Sequence, residues 1–255
     1  MSISQIIMMG PENLTQVDAA DFDGINDYMT RGASLTGAAD SKKGIFSAWI
    51  RLDGGDGTAK EVLANSTTVG GFTMRFQVLR TVGNKFQITG VNEAAATILL
   101  MDTAATYTAS ATWLHLLSSW DLSSGGASHI YMNDISDKSV TTFTNDSIEF
   151  TVADWSIGAQ PNGGRLLDAA LAELYFAPGQ YLDFSQVNNR RKFISTGGNP
   201  IHLGVTGTAP TGTAPLVYQH LDDAEAVANF ATNRGTGGNF TITGTLATAS
   251  TSPSD

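Results

Sequence analysis

The chain has 255 residues, 42% hydrophobic and only 15% charged, with 27 Gly, 7 Pro and no Cys. Charge that sparse, against the ~25% usual for soluble domains, argues for strands and tight turns over long helices, whose surfaces need Glu, Lys and Arg. A net charge of −10 with 14 Lys and Arg excludes a surface that tracks nucleic-acid phosphates and disfavours anionic membranes, and the lack of Cys excludes disulfides, thiolate metal sites and Cys nucleophiles.

The first residues, MSISQIIMMGPENLT, have no basic region ahead of their short apolar stretch, so no signal peptide is expected and residues 1–19 read as an N-terminal arm. No apolar run approaches the ~18 residues of a membrane span. Short β-patterned runs follow at 45–52, 61–65, 72–80, 85–91, 97–101, 113–120, 129–133, 139–143, 155–159 and 169–176. In 72–80 (FTMRFQVLR), Phe72, Met74, Phe76 and Val78 fall on one face and Thr73, Arg75 and Gln77 on the other, as in a half-buried antiparallel strand. Glycine clusters at 53–57, 82–84, 123–126 and 161–164 supply the turns. With no amphipathic helices between these strands to cover a parallel sheet, an all-β, two-sheet antiparallel jelly-roll sandwich over residues 20–196 is the expected fold.

One short helix is expected over 185–193, capped by Asp183 or Ser185 and carrying Arg190, Arg191 and Lys192 in its last turn, where they complement the helix dipole on a solvated face. After Thr196 the composition turns rich in Gly, Pro and Thr. Residues 197–255 read as an extension: a surface run over 197–214, a short strand at 216–219, a final β-hairpin within 230–246 and a disordered end from 249.

Ordered phrases carry a resemblance. DFDGINDYM (21–29), GIFSAWIRLD (44–53), TWLHLLSSWDLSSGGASHIYMN (112–133) and WSIGAQPNGGRLLDAALAELYF (155–176) together resemble the laminin-G-like and concanavalin-A-like jelly rolls. Asp134 stands where that family usually has Gly, and Ala172-Glu173 where it has an Asp-Glu pair. The strings NNRRKFISTGGNPIHLG and NRGTGGNFTITGTL are similar to the C-terminal part of jelly-roll proteins carried by tailed bacteriophages and prophages. That resemblance implies a virion protein, made in the host cytoplasm and released by lysis, whose partners are other capsid or tail subunits and further copies of itself.

Glucanases of this fold use E-x-D-x-x-E. The nearest string, TNDSIE, has Asp146 and Glu149 but Thr144 at the nucleophile's position, and Asp168 and Glu173, five apart, fall on opposite strand faces; no enzyme is expected. The four histidines, His115, His129, His202 and His220, sit in no catalytic or zinc motif, and His115 reads as a hydrogen-bonded structural residue. No organic cofactor is implied. The turns Asp21-Asp23-Asn26-Asp27 and Asp53-Asp56 offer oxygen ligands for a structural calcium, with Asp23, Asn26 and Asp27 the named candidates, although Asp and Asn suit such turns by bonding to their own backbone. Trp49, Trp113, Trp120 and Trp155 lie in apolar β-runs and read as core. Tyr28, Tyr107, Tyr181 and Tyr218 lie nearer turns and are the better surface candidates for a sugar. Two functions are expected from these features: a virion structural protein that holds neighbours through extended termini, and, as the alternative, an adhesin that binds host-surface glycans.

Overall fold

The structure is a computed structural model and describes residues 17–124 and 127–255. In chain order its strands are β1 (Val17–Asp18), β2 (Ala20–Asp23), β3 (Tyr28–Thr30), β4 (Lys43–Leu52), β5 (Lys60–Ser66) and β6 (Phe76–Arg80). They continue with β7 (Phe86–Val91), β8 (Thr97–Thr103), β9 (Leu114–Asp121), β10 (Ala127–Met132), β11 (Ile135–Ser136) and β12 (Lys138–Phe143). The set ends with β13 (Asp154–Ile157), β14 (Asp168–Pro178), β15 (Val217–Gln219), β16 (Leu221–Asp222), β17 (Thr241–Thr243) and β18 (Ala247–Thr248).

Two antiparallel sheets form the sandwich. The first runs β11-β10-β9-β4-β14-β2-β18, with β15 also paired to β14; the second runs β12-β8-β7-β6-β5-β13-β3-β17. In β4 strict alternation builds the space between them. Phe46, Ala48, Ile50 and Leu52 point from β4 into the main core, while Ile45 and Trp49 join two smaller clusters on the outer face of the first sheet. Phe76, Phe150, Trp155 and Phe176 meet at the centre, with ring centroids 4.8–6.4 Å apart.

The strand expected over 72–80 begins only at Phe76, and Phe72 is 70% exposed. Its partner β5 ends at Ser66, and the Asn65 side chain accepts from the Arg75 and Phe76 amides at 2.8 Å, closing the ladder there. The expected helix is a single turn, α1 (Val187–Arg190), without a side-chain cap; Asp183 instead accepts from the Ser185 amide at 2.9 Å. The basic run after it is not a free solvated face. Arg190 and Arg191 grip the two oxygens of Asp134 at 2.5 and 2.6 Å, and the Lys192 ammonium donates to the Pro210 carbonyl at 2.8 Å. Asp134 itself sits at φ +68, a left-handed backbone that explains glycine as the usual residue there.

The largest difference from expectation concerns residues 197–255. They do not run beside the sandwich but are woven into it: β15 pairs with β14, β17 with β3, β18 with β2, and β16 with β1 of the N-terminal stretch. The expected final hairpin is also absent, because β17 and β18 lie in different sheets. The chain crosses between sheets at Gly244 just as it does between β2 and β3. A Cβ on Gly244 would stand 2.2 Å from an Asp27 oxygen, so only glycine lets the two crossings touch. Residues 249–255, expected to be disordered, lie against the first sheet: the Ala249 amide donates to the Ala19 carbonyl at 2.9 Å, the Val17 amide to Ser254 Oγ at 3.1 Å.

Candidate functional site

One rim of the sandwich gathers the turns after β2, β4 and β8 and the start of β14. On the outer face of the first sheet, Asp21, Ala170 and Arg51 stand side by side on three adjacent strands. The small Ala170 leaves room between its two charged neighbours. Arg51, 8% exposed, is held by its own strand end: Nε donates to Asp53 Oδ1 at 2.8 Å and Nη2 to Asp53 Oδ2 at 3.0 Å, a bidentate clamp. Its guanidinium carbon lies 5.7 Å from the centroid of the half-buried Trp113 indole.

A groove of about 450 Å³ opens here. Arg51, Leu52 and Asp53 form one side, the 109–111 loop another, and Ser250 and Thr251 a third. Arg51 Nη1 donates to Ser250 Oγ at 3.2 Å and to Thr251 Oγ1 at 2.8 Å, and Trp113 Nε1 donates to the same Thr251 oxygen at 3.2 Å. Burial, then the neighbouring Asp53 carboxylate, pushes the Asp21 carboxyl up, with Arg51 opposing. Asp168 is raised as well, by burial first, with Lys60 opposing and Asp53 adding. A fixed guanidinium and its carboxylate thus line the groove, with the Trp113 indole beside them and the Asp21 and Asp168 carboxyls close to Asp53.

The two acidic turns singled out as oxygen-rich meet on this rim, through Asp21, Asp53 and Asp168. The calcium candidates are engaged otherwise. Asp23 accepts from the Ile25 and Asn26 amides of its own turn, which holds its carboxyl below the usual range, and Asp27, 3% exposed, accepts from the Thr245 amide at 2.6 Å. Among the described residues no group of three or more His, Cys, Asp or Glu is placed to hold a metal ion. Nothing in this geometry adds to the calcium expectation.

The other candidates disperse. Asp146 and Glu149 lie away from this rim, Asp146 bonded to Asn92 at 2.7 Å and Glu149 to Arg75 at 2.5 Å. His115 is fully buried, bonded through Nε2 to Ser47 at 2.8 Å and stacked on Trp49 at 4.6 Å; burial holds its pKa down at about 3, so it is neutral and sealed from any substrate. His129 meets Tyr181 and Asp183, and His202 accepts from the Gly204 amide. Trp120 and Trp155 are core residues and Trp49 is 3% exposed, but Trp113 reaches the surface; Tyr218, expected there, is 1% exposed. Trp113 was hidden in the sequence because it stands one residue before β9, where the apolar pattern ends at the rim.

The family profile described as the Concanavalin A-like lectin/glucanases superfamily matches residues 23–179. The chain belongs to this superfamily. No curated protein matches it in sequence. Among solved structures, this superfamily member is similar to a candidate carbohydrate binding protein from Bacteroides ovatus ATCC 8483, with TM-score 0.62 and 13% identity over 92% of this chain; the chain spans 60% of that protein's length. It is also similar to the heptameric SAP-like pentraxin of Limulus polyphemus, with TM-score 0.49 and 12% identity over 69% of this chain and 82% of that one. The family match ends at residue 179, so the strands β15 to β18 and the Ser250–Thr251 wall of the groove lie beyond it.

Proposed function

We propose that the chain is a carbohydrate-binding module of the concanavalin-A-like superfamily that holds glycans in the Arg51–Trp113 groove without cleaving them. The observation that carries this reading is the surface-reaching Trp113 indole beside an Arg51 guanidinium fixed by Asp53. A pyranose offers an apolar C–H face to an indole and hydroxyls to charged donors and acceptors, a pairing that Arg51 and Asp53 in the groove wall and Trp113 beside them can meet. The superfamily and the description of the Bacteroides ovatus structure are consistent with it.

Trp113→Ala is expected to weaken glycan binding about 30-fold, the ~2 kcal/mol typical of an aromatic anchor, with far-UV circular dichroism unchanged. Glycan-array screening followed by calorimetry on the best glycan measures this. Binding that survives Trp113→Ala at full strength would place the site elsewhere.

The phage-like strings within 185–248 support a second reading, in which the module is borne on a virion as a structural or adhesive protein. The two readings are compatible. Density-gradient fractionation of lysates from producing cells tests the second: a fixed ratio to the major capsid protein supports it, and absence from the particles removes it.

A further inference from the structure

Arg51 in the groove wall and Trp113 beside it carry N–H donors able to recognise hydroxyls, and these donors are occupied. Both hydrogens of Arg51 Nη1 go to the hydroxyl oxygens of Ser250 and Thr251, and the single Trp113 Nε1 hydrogen goes to Thr251. Two adjacent hydroxyls on one guanidinium nitrogen, one of them shared with an indole N–H, reproduce what a vicinal diol of a sugar ring would present. We infer that Ser250 and Thr251 are a built-in stand-in for the ligand, and that the groove takes neutral, diol-bearing sugars by exchanging them for these two hydroxyls. This rests on the proposed glycan-binding function and specifies its ligand.

The segment is built for exchange at this point and for retention elsewhere. Ser250 and Thr251 are exposed, and β18 just before them is a two-residue strand with both residues exposed. Beyond them Ser252 and Pro253 are buried, and Ser254 takes the Val17 amide, so the chain stays attached on both sides while the two residues swing away. Charge sets the class of sugar. Arg51, the cation in the groove wall, is already neutralised by Asp53, and the Asp21 and Asp168 carboxyls stand close enough to Asp53 to feel its charge. A uronate, sialate or sulfate group would find the cation of the groove wall already paired and further carboxylates close behind it, whereas a neutral hexose needs no free cation.

The test uses the full chain and its Ser250→Ala/Thr251→Ala double variant, whose alanines keep the backbone but free the Arg51 and Trp113 donors. Binding of mannan, dextran and galactan as neutral probes and of polygalacturonate as the anionic one is measured by affinity electrophoresis, with Trp113→Ala alongside. The expected result is that at least one neutral polymer binds the double variant five- to tenfold more tightly than the parent, in a Trp113-dependent way, while polygalacturonate binds neither. Equal or weaker Trp113-dependent binding by the double variant would show that the two hydroxyls are a wall of the site, overturning exchange while leaving the glycan-binding function intact. Trp113-dependent retention by polygalacturonate in preference to the neutral polymers would overturn the charge argument. Failure of all probes to bind either protein, or binding indifferent to Trp113→Ala, would remove the glycan-binding reading at this groove and the exchange with it.

Discussion

A chain ending at Thr196 is expected not to fold. The segment beyond that point places Val217, Leu221, Phe230, Phe240 and Leu246 in the main core and Tyr218 in the cluster on the outer face of the first sheet, each 6% exposed or less. Burial of each such side chain contributes about 1.5–3 kcal/mol, so together they are as large as the ~5–15 kcal/mol by which a whole domain is stable. The backbone suffers as well. Without β15, β17 and β18, strands β14, β3 and β2 lose the partners that satisfy one edge of each ladder. Circular dichroism and a thermal melt of the truncated chain check this. A cooperative melt near that of the full chain would mean that residues 197–255 are an appendage after all, as their Gly-, Pro- and Thr-rich composition suggests.

That composition shows why part of the fold was legible in the sequence and part was not. Strands such as β4 and β7 announce themselves by alternation, because one face packs in the core and the other does not; the boundaries read at 45–52 and 85–91 come within a few residues of those observed. The strands β17 and β18 are three and two residues long, with Thr241, Thr243, Ala247 and Thr248 exposed, so burial leaves almost no pattern along them. What holds them is pairing to β3 and β2, which is a property of the edges they meet. The site divides in the same way. The acidic turns are visible as turns, but their meeting with Arg51 depends on the β2-β14-β4 neighbourhood. The Ser250–Thr251 contact joins residues about 200 apart in sequence, and no local signal marks it. Counting faces also failed across β14: a bulge between Ala172 and Tyr175 breaks the alternation counted from Asp168, so Glu173 turns to the outer face beside Tyr218.

This bulge leads to a pH-sensitive network. At Glu173 strand β14 changes its neighbour from β2 to β15, and the residue adopts φ +50, a conformation that costs a non-glycine residue about 1 kcal/mol. Its buried carboxylate accepts from Tyr218 Oη at 2.8 Å and from His220 Nδ1; His220 Nε2 in turn meets Asp222 at 2.9 Å, and Arg234 joins Asp222 to Glu225. Burial works against a charged His220, but the hydrogen bond and charge of Glu173, backed by Asp222, outweigh it and raise the His220 pKa, with Arg234 opposing. A histidine raised in the folded state stabilises fully below its unfolded pKa of about 6.5, and that contribution is lost as pH climbs through the folded value. Glu173→Ala leaves a buried imidazolium and a phenol without their acceptor and is expected to cost about 3–5 kcal/mol, a fall in Tm on the order of 10 °C at pH 6. His220→Gln is expected to be less damaging and to remove the share of the alkaline loss of stability that His220 carries. Glu61, buried and raised to about 8 despite Arg165, imposes a decline of its own between about pH 5 and 8, but parent and variants share it, so it cancels in the difference. Denaturant midpoints for parent and His220→Gln from pH 5 to pH 9 decide the matter. Curves that converge as pH rises place the charge on His220 between Glu173 and Asp222; parallel curves would mean that His220 is neutral throughout and that the network is held by hydrogen bonds alone.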